Sequence, residues 1–211
     1  IKVNDTLINS SNFDYLLSVI DDKEISYHIS KNFLVDFTKN DETLISSLAN
    51  KKEKYLITHI PDYLSFERIE YVLNKLPNNL KILCENPNFF NTKAYINYLI
   101  DFYKKIEYYE KIGGCLDLGH LFFNQHKTSN LNYLKQLLEN INFDNIYEFH
   151  IHDFDDNTDH KKIGEGLLDI EYINSQLNTS FSRTRVILET NVKDEKLEEG
   201  IKQIKRVLKH Q

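Results

Sequence analysis

The chain has 211 residues, 41% of them hydrophobic, which suits one sizeable domain with its own core. A net charge of −6 speaks against a surface given over wholly to nucleic acid, although a local basic groove remains compatible with it. No apolar run nears the roughly 20 residues of a bilayer span. No secretory signal is visible, and two cysteines make no disulfide framework, so a reducing cytoplasm is the expected setting.

The chain begins at Ile1 and contains no methionine, so a short preceding segment is expected. IKVND reads as a short strand, and NFDYLLSVI (12–20) has the apolar spacing of a helix. Strand EISYHIS (24–30) is followed by helix 41–52, strand KYLITHI (54–60), helix 66–76 and strand LKILCEN (80–86). Next come helix 92–112, strand GGCLDLGH (113–120), helix 129–141 and strand IYEFHIHD (146–153). Helix 170–177, strand RVILET (185–190) and helix 195–210 complete the order. Strands alternating with helices imply βα units on a parallel sheet, in one domain over residues 1–211. An open doubly wound sheet and a (β/α)8 barrel both fit that count.

The ends of the strands decide between them. His28, His59, Glu85, then Asp117 with His120, His150 with His152, and Glu189 each close a predicted strand. An open sheet focuses its site at one switch point, whereas a barrel gathers side chains from every strand end at one mouth. A (β/α)8 TIM barrel is therefore expected. The period of two puts Glu148, His150 and His152 on one face of their strand, and Cys115 with Asp117 on one face of theirs. Carboxylates and imidazoles aimed into one space need a compensating cation, and a divalent metal supplies it.

Five motifs in order carry a family resemblance: Glu85-Asn86, LDLGH (Asp117, His120), HIHD (His150, Asp153), HKKIGEG (His160 to Gly166) and ILET (Glu189). From about Tyr27 to Glu189 the chain resembles the xylose isomerase-like TIM-barrel superfamily, which holds sugar and sugar-phosphate isomerases and epimerases and also endonuclease IV. The resemblance implies one divalent metal (Mn²⁺, Mg²⁺, Co²⁺ or Zn²⁺) on Glu85, Asp117, His150 and Glu189. His150 is preferred to His152 because the family's ligand stands three residues before the motif aspartate. The implied activity is isomerisation or epimerisation of a sugar or sugar phosphate through an enediolate. Glu85 and Glu189 move the proton, and His28, His59, His120 and His160 line the substrate pocket or hold further metal. A full barrel of this kind has two strands before ISYHIS, but only 23 residues precede Glu24. The expectation is thus a barrel whose first β/α unit is absent or precedes residue 1; a second copy of the chain can cover the open edges.

Two other classes stay in view. Endonuclease IV enzymes act on abasic DNA with three zinc ions, and the extra histidines match their pattern. That pattern also asks for an aspartate two residues before His160, where this chain has Thr158, with Asp159 one place late. No basic cluster beyond Lys161-Lys162 accompanies it, which ranks a nucleic-acid partner below a small sugar. A degenerate barrel that binds without catalysis is the third class. The plainer readings are that Asp153 braces its loop and that His152, open between a pocket residue and a structural histidine, is bonded to backbone. Likewise Lys161-Lys162 read as a surface pair rather than a phosphate site, and Cys84 and Cys115 as small buried hydrophobes with no base placed to activate them.

Overall fold

The computed structural model describes residues 26–29, 31, 33–49, 52, 54–61, 65–88, 92–128, 133–177, 184–190, 199–202 and 205. The expected strand IKVND, helix 12–20 and most of helix 195–210 lie outside the described residues. Contacts divide the chain into two compact units, Ile1–Glu85 with Tyr108–Gly113, and Asn86–Glu107 with Gly114–Gln211.

The first unit holds β1 (Ser26–His28), α1 (Lys39–Leu48), β2 (Lys54–His59), α2 (Phe66–Leu73) and β3 (Leu80–Glu85). Its three strands are parallel and hydrogen-bonded in chain order. Each helix starts where its sequence supplies a cap. Thr38 accepts from the Asp41 amide at 3.2 Å while the Asp41 carboxylate takes the Thr38 amide at 2.7 Å, a reciprocal box that opens α1. Ser65 caps α2 by accepting from the Arg68 amide at 3.2 Å. The inward stripes Leu44, Ile45, Leu48 and Ile69, Val72, Leu73 are buried, as helical spacing predicts. Beyond β3, the Ile82 amide donates to the Lys111 carbonyl, so β4 (Ile112–Asp117) is the next strand in order.

The strand β4 (Ile112–Asp117) runs on into the second unit. With it are α3 (Thr92–Ile106), α4 (Leu118–Thr128), α5 (Tyr133–Leu138), β5 (Ile146–Ile151), α6 (Ile170–Leu177) and β6 (Arg185–Leu188). β4, β5 and β6 are parallel, and the sheet order is the chain order throughout. Among the described residues, six parallel strands alternating with helices in this order are those of a partial (β/α) barrel, in keeping with the expected barrel class and its missing unit. Ile96, Leu99 and Ile106 of α3 are buried, and the Tyr103 hydroxyl donates to the Cys115 carbonyl at 3.0 Å.

Three expectations need correction. The strand predicted over 113–120 ends at Asp117, and an eleven-residue helix the sequence reading omitted begins at Leu118. Its cause is local: the Asp117 carboxylate accepts the His120 amide at 2.7 Å, the pattern of an N-cap, and so turns strand into helix. The strand predicted over 146–153 ends at Ile151, because Asp153 leaves the ladder to form an antiparallel bridge with Lys161. Helix 92–112 stops at Ile106, since the chain turns there to enter β4 at Ile112.

Candidate functional site

In the first unit the register sets three strand ends side by side. His28 pairs with Ile57 across β1–β2, and His59 pairs with Glu85 across β2–β3. The Glu85 side chain is wholly buried, yet its Oε2 lies 2.9 Å from His28 Nε2 and 3.1 Å from His59 Nε2. The two imidazoles meet edge to face with 5.5 Å between centroids. A buried carboxylate between two imidazoles is a polar site, not a core position.

In the second unit the same logic repeats on β4, β5 and β6. Asp117 and His150 are register partners. The Glu189 amide, just past β6, donates to the Ile151 carbonyl at 3.1 Å, and its carboxylate lies 3.0 Å from His150 Nδ1. His150 Nε2 faces Glu148 Oε1 at 2.9 Å, and Glu148 Oε2 is held by Arg185 Nη2 at 2.6 Å. Burial works against a charged His150, but hydrogen bonds with Cys115, Glu148 and Glu189 outweigh it and hold its pKa well above the ordinary imidazole range. The Cys115 contact corrects the reading of that cysteine as a mere hydrophobe, since an imidazole does sit beside it. Spacing alone could not find this, because the thiol and the ring come from different strands.

Asn86, wholly buried, explains the residue after Glu85. Its side-chain oxygen accepts the Asp117 amide at 2.7 Å and its NH₂ donates to the Asp117 carbonyl at 2.9 Å. It grips the Asp117 backbone from both sides at the end of β4.

A second cluster surrounds Asp117. Its Oδ2 lies 3.3 Å from His120 Nδ1 and its Oδ1 lies 3.2 Å from His152 Nε2. His152 stacks on His160 with 4.1 Å between centroids and 9° between planes, and His120 meets both edge-on. Ligand atoms of His120, His152 and His160 all lie within 4.8 Å of one another. Asp159 joins through Oδ1, 3.0 Å from His160 Nδ1, and Oδ2, 3.9 Å from His120 Nε2, with the Asn88 amide donating to it. His152 is buried, which tends to lower its pKa, but the Asp117 carboxylate and lesser partners raise it to about 9. The sequence reading left His152 open; it belongs to this cluster. Its ring also explains the glycine of LDLGH, because a Cβ on Gly119 would collide with it.

Asp153 organises the loop that follows. One carboxylate oxygen accepts the Phe154 and Leu168 amides at 2.8 and 2.9 Å, and the other accepts those of Gly164 and Gly166, each at 2.9 Å. Gly164 has φ 85°, the left-handed region open to glycine, and His160 takes φ 57°. His160 is held there by its own amide donating to His152 Nδ1 at 3.0 Å. Lys161 pairs with Asp155 at 2.6 Å, while Lys162 pairs with Glu199 and is buried rather than at the surface. Both lysines thus have carboxylate partners, which argues against the phosphate role.

The donor sets are oxygen and nitrogen on short, braced side chains, which suits a divalent cation of hard to borderline character. Buried carboxylates gathered with imidazoles fit such an ion better than they fit an apolar ligand.

A family profile described as xylose isomerase-like TIM barrel matches residues 61–210. The chain belongs to that family. Comparison with curated proteins by sequence finds no match. Among solved structures it resembles a D-tagatose 3-epimerase-like protein, with 18% identity, TM-score 0.63, and coverage of 95% of this chain and 84% of the other. Endonuclease IV from Thermus thermophilus gives 17% identity and TM-score 0.60, over 96% and 83% of the two chains. The IOLI protein with a bound zinc atom gives 17% and 0.64, over 98% and 84%. At these identities the likeness is one of fold. No helix among the described residues is long and apolar enough to cross a membrane.

Proposed function

We propose that this chain is a divalent-metal-dependent isomerase or epimerase of a sugar or sugar phosphate. The supporting observation is the strand-end set of the second unit, with Asp117 and His150 in register and His150 Nδ1 3.0 Å from the Glu189 carboxylate. Glu85 closes β3 with the same chemistry and completes the four proposed ligands, Glu85, Asp117, His150 and Glu189. When bound, the ion polarises a substrate carbonyl and stabilises the neighbouring negative charge, worth several kcal/mol. Glu189 and Glu85 serve as the proton-transfer pair, one taking the proton from the carbon beside the carbonyl and the other returning it to the enediolate. Positioned carboxylates contribute roughly 10²–10⁴-fold in this role. His28 and His59 orient Glu85, and His120 and His160 bind substrate hydroxyls.

The test is exchange of a carbon-bound proton with D₂O across a panel of ketoses and their phosphates, with and without added Mn²⁺ or Co²⁺. Metal-dependent exchange that is lost in Glu189→Gln is expected. Absence of exchange with every substrate under every metal favours a barrel that only binds.

The cluster His120, His152 and His160 favours one second reading, a further zinc ion and endonuclease IV-type chemistry. His152 supplies a ligand where the expected aspartate is replaced by Thr158. Chelator-sensitive nicking of abasic duplex DNA by the purified protein would decide for it.

A further inference from the structure

We propose that Glu148 and Arg185 form a positioning pair that fixes which nitrogen His150 offers to a cation. This rests on the placement of a divalent ion at His150 proposed above. Neither residue belongs to the proposed ligand set; Glu148 touches His150, and Arg185 touches Glu148.

Four side chains are threaded in line. Arg185 Nη2 contacts Glu148 Oε2 at 2.6 Å, Glu148 Oε1 contacts His150 Nε2 at 2.9 Å, and His150 Nδ1 contacts Glu189 Oε2 at 3.0 Å. The sheet register produces this order. Glu148 and His150 share a face of β5, Arg185 is the register partner of Glu148 on β6, and Glu189 follows at the end of that same strand.

Glu148 has no solvent exposure, and a buried carboxylate needs a partner at each oxygen. Arg185 compensates it at Oε2 and leaves Oε1 to accept a hydrogen from His150. Carboxylates face both ring nitrogens, but Glu148 is fixed by Arg185 whereas Glu189 is itself a proposed ligand. The hydrogen therefore stays on Nε2, and Nδ1 is the nitrogen whose lone pair can turn toward a metal. Cys115, Glu148 and His150 also lie close enough together to suggest a cation among themselves. Arg185 argues against it, because its guanidinium already takes one oxygen of the Glu148 carboxylate. Glu148 is therefore a partner of the ligand and not itself a ligand.

The experiment uses the full chain, stripped of metal and labelled with ¹⁵N-histidine, with Zn²⁺ as probe. In the zinc-loaded wild type, His150 is expected to show a protonated Nε2 and a zinc-bound Nδ1. Glu148→Gln removes the fixed acceptor, because the amide can present either a donor or an acceptor to Nε2. It should weaken Zn²⁺ binding about 10–100-fold in a chelator competition, and should give a mixture of His150 tautomers in the metal-free protein above the titration of the ring. Arg185→Gln should weaken binding in the same direction, and combining the two should add little beyond Glu148→Gln alone. If Glu148→Gln does not fold, Arg185→Gln carries the test from its partly exposed position.

Wild-type zinc affinity with an unchanged tautomer in the folded variants would overturn the positioning role. So would weaker affinity with Nε2 still wholly protonated, since that marks a loss of charge and not of orientation. His150→Ala separates the two proposals. If it leaves zinc binding intact, the ion does not sit at His150; if it abolishes binding while Glu148→Gln is silent, only the positioning pair is wrong.

Discussion

Asp153 receives four backbone amides on one carboxylate, drawn from both ends of the loop 154–168. Hydrogen bonds to a charged group are worth about 1.5–3 kcal/mol each, though they do not add fully. Asp153→Ala should therefore destabilise the fold by about 3 kcal/mol or more, and should release the Gly164, Gly166 and Leu168 amides to fast hydrogen exchange. Slow exchange at those three amides in the variant would contradict the role. Gly119→Ala should push the His152 ring away from Asp117, costing about 1–3 kcal/mol in thermal or urea unfolding. Burial pushes the Cys84 thiol well up, so the native state favours its neutral form. The contribution is fully present below the unfolded value of about 8.5 and is lost as pH rises above it. Cys84 should resist a thiolate-directed reagent near pH 8.5 until the chain unfolds, read by mass spectrometry. At this scale the sequence was informative where a motif named the residue and poor where contacts crossed strands. Asp153 as a loop brace was legible from its place in HIHD. The Cys115–His150 contact and the Arg185–Glu148 pair were not, because register between separate strands is invisible in a single sequence.

The elements were legible wherever apolar period and caps agreed. Helix 170–177 was read with its ends correct, and the α1 and α2 stripes matched their spacing. The Thr38 box predicts its own test: Thr38→Ala should cost about 1 kcal/mol, read as a shift in urea midpoint with unchanged slope. The helix α4 was missed for a physical reason. Residues 113–117 are a buried β-prone run, and the apolar residues Leu118, Leu121, Phe122 and Phe123 follow it without a break, so strand and helix merge into one hydrophobic block. The signal that separates them was present in Asp117, three residues before His120, which is cap spacing. That same carboxylate is a proposed metal ligand, and its double use hid the boundary.

For the whole molecule, alternation of strand and helix gave a parallel β/α sheet, the polar strand ends favoured the barrel over the open sheet, and five motifs in order gave the family resemblance. None of the three depends on any one residue. The candidate residues could be listed from the sequence, with Glu85, Asp117, His150 and Glu189 at or just beyond strand ends, His120 in the first turn of α4 and His160 in the loop after β5. Their network was not legible, since His152, Asn86, Glu148 and Arg185 act on those residues from neighbouring strands and loops. A chain that buries this many carboxylates and imidazoles should gain stability from the proposed divalent ion, by mass action on the folded state alone. Chelation is thus expected to lower the melting temperature, and added Mn²⁺, Co²⁺ or Zn²⁺ to restore it. The central claim is that Glu85, Asp117, His150 and Glu189 hold a divalent ion. The direct measurement is elemental analysis of the purified protein after metal reconstitution, compared with His150→Ala and Glu189→Gln. About one ion per chain in the wild type, falling towards zero in both variants, is the predicted result. Unchanged metal content in the two variants, or none in the wild type, would contradict it.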